Sequence, residues 1–212
     1  MLIHKDNLYA FTGGPGAGKT TLLRRLQALG EACVEESARA VIQVEAAAGR
    51  GRPTGLAFCE LMMARDLAAF HAAGAQRTFL DRSLVDAWGT ARVMGLGDWP
   101  ASEAAVRSHR LNRRAFIFPP WKAIYATDSE RSQSWAEAVQ AFERCGEAYE
   151  AAGYELVSVP LADVEARAGF VLEVCSRLER PRRGRPGVRE ARRLAGGPES
   201  DLGSGRRQPR DP

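Results

Sequence analysis

Apolar residues recur along the chain with two alternating periods. Leu8 to Thr12 is apolar, β-branched and aromatic, bounded by Asn7 and by glycines, and predicts a strand. Leu22, Leu26 and Leu29 then fall at i, i+4, i+7 and predict a helix over Lys19–Leu29, stopped by Gly30. Ala32–Val34 predicts a short second strand and Ser37–Ala48 a second helix. A loop, GRGRPTG, leads into a longer helix from Leu56 to Ala73, with Leu56, Cys59, Met63, Leu67 and Phe70 as its apolar stripe. Arg77–Asp81 predicts a third strand, Leu84–Met94 and Ser102–Leu111 predict helices, and Arg114–Phe118 predicts a fourth strand. Trp121 to Ser134 is polar and lacks a period. A helix over Trp135–Ala152 precedes a fifth strand, Tyr154–Val159. Asp163 is placed to cap a last helix whose stripe is Val164, Ala168, Val171, Cys175 and Leu178.

Strands alternating with helices predict an α/β architecture around a buried parallel sheet. At 212 residues and 45% hydrophobic, the chain suits one sizeable domain. The formal charge of +4 is unevenly placed. Residues 180–212 carry ten arginines against four acids, while the rest is slightly acidic. That tail has no aromatic residue, and Gly and Pro fill a third of it. Such a composition cannot offset chain entropy, so residues 180–212 are expected to be disordered and residues 1–179 to form the domain. The basic balance therefore says little about the folded part.

No apolar run approaches the roughly 18–20 residues that span a bilayer, and Met1–Asn7 has no secretory pattern. The four cysteines, 33, 59, 145 and 175, form no CxxC pair and each falls in an apolar context. Buried free thiols and a cytoplasmic location are expected. His4, His71 and His109 are scattered, with no Cys or acid at metal spacing.

Residues 13–20 read GGPGAGKT, the Walker A pattern G-x-x-x-x-G-K-[ST], between a predicted strand and an amphipathic helix. The chemistry requires these residue types. Glycines let the backbone curl so that successive N–H groups point at phosphate oxygens, and the helix N-terminus adds its dipole. Gly13, Gly14, Pro15, Gly16, Ala17, Gly18, Lys19, Thr20 and Thr21 are the expected binders of ATP or GTP. Lys19 would charge-pair with the β/γ-phosphates, and Thr20 would ligate Mg²⁺.

In open α/β sheets, ligands sit beyond the carboxyl ends of the strands. The second strand ends in Glu35–Glu36, with Arg39 three residues on. Glu36 is a candidate general base, or an acid that only complements a helix start. The third strand ends in Asp81–Arg82–Ser83. Asp81 resembles a Mg²⁺-holding acid, with Asp81 or Ser83 as an ordinary N-cap of the next helix as the alternative. Arg82 could hold an acceptor anion, and Asp86 is read chiefly as a complement to the helix N-terminus. After the fourth strand, where a lid would lie, Arg131 is either a cis arginine that reaches the transferring phosphoryl group or part of a solvated charge cluster. Arg113–Arg114 could reach the nucleotide but read better as an edge pair.

The ordered set FTGGPGAGKTTLL, VEESARAVI, FLDRSLVDAW, NRRAFIFPPW and YATDSERSQS resembles a bacterial family of AAA-type P-loop ATPases grouped with the ribosylnicotinamide kinase domain. The resemblance covers roughly residues 7–178. It implies a five-stranded parallel sheet, in the order 2-3-1-4-5 by chain position, flanked by helices. It also implies that Glu36 is the general base, that Glu36, Arg39 and Arg82 meet the substrate, that Asp81 and Thr20 serve the metal, and that Arg131 is the lid arginine. Glu35 stands where relatives often have proline. The expectation is a Mg²⁺-dependent phosphotransferase for a small, nucleoside-like acceptor. The alternative is an ATP/GTP-binding switch or weak ATPase acting through a protein or nucleic-acid partner, with the tail giving weak phosphate contacts.

Overall fold

The computed structural model describes residues 1–96, 99–125 and 134–179. Met1–Cys175 form one compact unit. Its centre is strand β2 (Leu8–Gly13), all six residues of which are buried. Earlier in the chain lies a short strand, β1 (Ile3–Lys5). Then come α1 (Lys19–Ala28), β3 (Ala32–Val34), α2 (Ser37–Ala47), α3 (Gly55–Ala72) and β4 (Thr78–Asp81). The second half holds α4 (Leu84–Val93), α5 (Pro100–Ser108), β5 (His109–Leu111), β6 (Arg114–Phe118), α6 (Trp135–Ala151), β7 (Glu155–Ser158) and α7 (Val164–Glu179).

The main sheet is parallel, in the order β3-β4-β2-β6-β7. This is the expected 2-3-1-4-5 order, and the element bounds agree with the apolar pattern to within a residue or two. Register sets the site, because Phe11 lies opposite Asp81 and Gly13 opposite Phe118. The carboxyl ends of β2, β4 and β6 therefore open on one edge.

Alternation along β2 sorts the two faces. Leu8 and Ala10 join a core with Met62, Met63, Phe70, Val85, Trp88 and Tyr149 from α3, α4 and α6. Tyr9 and Phe11 stack on the other face with Phe79, Phe116 and Phe118, ring centroids 4.9–6.1 Å apart. On that face α1 and α7 are joined by an ion pair, Arg25 to Glu165, at 2.8 Å.

Two features correct the pattern reading, and a third bears out the edge-pair reading of Arg113–Arg114. The helix expected over Ser102–Leu111 stops at Ser108, whose hydroxyl donates back to the Ala104 carbonyl. His109–Leu111 then pairs in parallel with Ile3–Lys5 as a separate two-stranded sheet. Each strand has only three residues, too few for a period to register. Asn112 fixes the pairing by donating from its backbone N–H to Leu8 and from its side chain to the Asp6 carbonyl. Secondly, Cys59 and Cys175 are buried, but Cys33 and Cys145 are only half-buried. Thirdly, Arg113 and Arg114 both pair with Glu155 at the amino end of β6, away from the phosphate loop. No described helix is long and apolar enough to cross a membrane.

A buried acid links two helices on the β3–β4 side. Ser37, the first residue of α2, donates its hydroxyl to Asp66 of α3. Burial, together with nearby Asp86, pushes the Asp66 carboxyl up to about 7, against the pull of Ser37, Arg65 and Arg82. A raised acid pKa means that the folded state holds the extra proton. The stabilisation is complete below the unfolded value near 3.8 and is lost as pH rises through about 7. Asp66→Asn keeps the acceptor for Ser37 and removes the titration. The variant is expected to melt above wild type by a margin that opens near pH 4 and widens up to pH 8, as followed by thermal denaturation. Parallel curves across that range would remove the linkage.

Candidate functional site

Between β2 and α1 lies the glycine-rich turn of residues 13–18, which ends at Lys19, the first residue of α1. Two glycines are obligatory for separate reasons. Gly14 lets helix α6 approach, since a Cβ there would stand 2.4 Å from the Ala138 carbonyl oxygen. Gly18, the residue before α1, has φ of +79°, a conformation costly for any residue with a Cβ. Lys19 is 7% exposed and donates to the carbonyls of Gly13 (3.1 Å) and Gly14 (2.7 Å). Burial and the neighbouring Arg82 lower its pKa to about 8, against the opposing pull of Asp81 and Glu36.

Thr20 donates to Asp81 Oδ2 at 3.0 Å. The other oxygen, Oδ1, is buried and has no hydrogen-bond partner among the described residues. Burial raises the Asp81 pKa, as does Glu36, while Lys19, Arg82 and Thr20 oppose the rise. A hydroxyl and a carboxylate with an unsatisfied oxygen are hard ligands that fit a divalent cation. The helix cap offered as the alternative is made by Ser83, not by Asp81. Ser83 and Asp86 form a reciprocal capping box at the start of α4.

Arg82 occupies the left-handed region, φ +73°, where an arginine is strained. The turn aims its guanidinium back across the strand ends. It donates to Glu36 Oε1 (2.9 Å), Asp86 Oδ1 (3.0 Å) and the Gly13 carbonyl (3.2 Å). Asp86 also accepts from Thr12 (2.7 Å), from the Ser83 N–H (2.9 Å) and from Tyr149 (2.7 Å). Burial and Asp86 hold the Tyr149 phenol well above its ordinary value, so it remains a donor. Burial alone would raise Glu36, but Arg82, Lys19 and Arg39 outweigh it and keep the carboxyl below the usual range. Glu36 is thus an ionised carboxylate at neutral pH, fixed in place and open to the cleft.

That cleft encloses about 1110 Å³, above the ~300–1,000 Å³ of a typical single-ligand pocket. Its walls include Gly16–Thr21, Glu36, Arg39, Asp81 and Arg82. The structure therefore brings together every proposed site residue it describes apart from Gly13 and Gly14, whose carbonyls hold Lys19 from behind. Arg131 lies outside the described residues.

The apolar pattern did not disclose Arg167. It is 5% exposed, donates to the Ala17 carbonyl at 2.9 Å, and lies over the rings of Phe118 (5.1 Å) and Trp121 (5.7 Å). Its Nε has no partner among the described residues, and burial lowers its pKa. One signal was legible: Arg167 stands three residues after Val164 and one before Ala168, on an otherwise apolar stripe.

A profile of the AAA domain family matches residues 8–167. The chain belongs to that family. No curated protein sequence matches this AAA domain. Among solved structures, it is similar to the NadR protein in complex with NR, with a TM-score of 0.61 at 18% identity, over 82% of this chain and 51% of that one. It therefore spans about half the length of NadR. It is also similar to deoxyadenosine kinase from M. mycoides with products dCMP and a flexible dCDP bound. The TM-score there is 0.59 at 12% identity, over 81% of this chain and all of that one. At such identities the likeness is one of fold.

Arg82→Met in this AAA domain would leave Glu36, Asp86 and the Gly13 carbonyl without their shared donor. A loss of about 1.5–3 kcal/mol is expected, measurable by urea denaturation. An unchanged midpoint would show that the three acceptors find other partners.

Proposed function

We propose that this chain is a Mg²⁺-dependent phosphotransferase that uses ATP and phosphorylates a small, nucleoside-like metabolite. The observation that carries the reading is the junction at the strand ends. A lysine-bearing phosphate cradle, a Thr20–Asp81 pair with an unsatisfied buried oxygen, and an ionised, immobilised Glu36 face one cleft. A hydrolytic switch needs the first two and would use the third only to position water. ATP as donor is supported by the similarity to the NadR protein in complex with NAD and AMP-PNP, with a TM-score of 0.58 at 17% identity over 81% of this chain and 49% of that one.

Each residue then has a physical task. Backbone N–H groups of residues 13–18 other than Pro15, with Lys19, hold the phosphates. Thr20 and Asp81 would hold Mg²⁺, which neutralises charge on the β- and γ-phosphates. Glu36 accepts the proton of the acceptor hydroxyl, with Arg82 fixing its orientation. Arg39 lies on the acceptor side and Arg131 is assigned to closure over the transferring group. Trp121, Ile124 and Arg167 line the opposite end of the cleft, where an apolar base would lie. Catalysis is then positioning plus electrostatics.

Three variants separate these tasks. Lys19→Ala is expected to weaken Mg·ATP binding about tenfold or more without unfolding the domain, by calorimetric titration. Asp81→Asn should depress transfer and basal hydrolysis together. Glu36→Gln should lower transfer by about 10²–10⁴-fold and spare hydrolysis. Equal losses in both reactions for Glu36→Gln would remove its role as base. Residues 1–179 are proposed as the nucleotide-binding domain. Deleting residues 181–212 is therefore expected to leave melting temperature and nucleotide affinity nearly unchanged, and a fall of many degrees would overturn that boundary.

A further inference from the structure

The cleft has two ends of different chemistry, and the sheet order separates them. Segments after β6 and β7 build the end with Trp121 and Arg167. The other end lies beyond β3 and β4, under α2, α3, α4 and α6. Here α4 and α6 pack closely, with Gly89 so near Ala148 that a Cβ on it would lie 2.7 Å from the alanine methyl. Two classes of side chain line this end of the cleft.

The first class is apolar. Ile42, Phe58 and Met62 contribute from α2 and α3, and Val93 and Met94 from the end of α4. Val93 and Met94 leave 47% and 52% of their surface exposed. A ligand with a ring or other apolar body would cover them.

The second class is cationic. Arg39, Arg52 and Arg144 reach this end from α2, the α2–α3 loop and α6. The acids of the same end, Glu36 and Asp86, share the one guanidinium of Arg82, so with Arg39, Arg52 and Arg144 four arginines face these two carboxylates and this end stays net positive. Arg52 and Arg144 are exposed and form no ion pair with an acid among the described residues. Arg144 is next to Cys145, whose sulfur lies 3.8 Å from the Arg82 guanidinium, so it borders the proposed transfer point. Planar guanidinium groups bind carboxylate and phosphate oxygens in pairs and gain little from a neutral partner.

We propose that the acceptor is a ring-bearing anion, carrying a phosphomonoester or a carboxylate, and that Arg52 and Arg144 bind the anionic group. The inference rests on the phosphotransferase reading above and narrows it. A neutral nucleoside would cover the apolar wall but leave the positive charge of this end unanswered.

The test uses the full chain with Mg·ATP and follows acceptor-dependent release of ADP. Three sets of acceptors are compared: nucleoside 5′-monophosphates, cyclic hydroxy acids, and the neutral nucleosides that correspond to the first set. Turnover is expected in one of the two anionic sets, and which one responds distinguishes phosphate from carboxylate. In the double variant Arg52→Gln/Arg144→Gln, KM for that acceptor should rise about 10–100-fold, with a much smaller change in kcat. Both positions are exposed, so the variant should melt with wild type. Turnover of neutral nucleosides, equal in wild type and double variant, would overturn the anionic acceptor and leave the phosphotransferase reading standing. An anionic acceptor whose KM is unmoved by the double substitution would overturn the role of the two arginines. Hydrolysis indifferent to all three sets would remove the phosphotransferase reading and this inference with it.

Discussion

The guanidinium of Arg82 is the constraint on which the rest of the site depends. A parallel sheet brings the carboxyl ends of β3, β4 and β2 side by side, but the segments beyond those ends are free to diverge. Arg82 binds all three ends at once, through Glu36 after β3, its own backbone after β4, and the Gly13 carbonyl at the end of β2. The third acceptor, Asp86, commits the start of α4 to the same geometry. A left-handed backbone at a non-glycine residue is strained, and it persists here because these three bonds and the Arg82 N–H bond to the Phe11 carbonyl over-determine it.

Several properties depend on that anchor. Glu36 is held ionised although burial opposes its charge. Asp81, one residue earlier, faces the opposite way, toward Thr20, and burial raises its pKa. Lys19 is lowered to about 8 by burial and by the nearby arginine. Three ionisable groups in one cleft are thus displaced from their ordinary values, two toward the neutral form and one toward the charged form. Which way each moves depends on whether a partner outweighs desolvation. Such displacement is common where chemistry is done; burial drives it at Lys19 and Asp81, whereas at the opposite edge one exposed glutamate is lowered chiefly by pairing with Arg114 and Arg113.

The strand order gives the cleft its two ends. From β2 the chain runs through α1 to β3 and β4 on one side, and later returns to β6 and β7 on the other. The phosphate loop lies where these directions part, as ligands in doubly wound sheets do. One side inherits Arg167 and the aromatic residues after β6. The other inherits the arginines and exposed apolar residues of α2, α3, α4 and α6.

The sequence by itself determined the main strands, most helices, the phosphate cradle and the strand-end acids Glu36 and Asp81. These signals are local. A period, a cap or a glycine-rich turn is decided by residues within a few positions of one another, so it can be read before the chain is folded. Only the tertiary structure decided that Arg82 is a brace between strands, that Arg167 reaches the loop from the far end of the domain, and that β1 pairs with β5. It also decided that Asp66 would be buried against Ser37. Each of these depends on contacts between residues far apart in sequence, whose energy exists only once the sheet has set its order. An arginine on an apolar stripe, or three residues with no period, carries no instruction of its own until a partner from elsewhere in the chain is brought within reach.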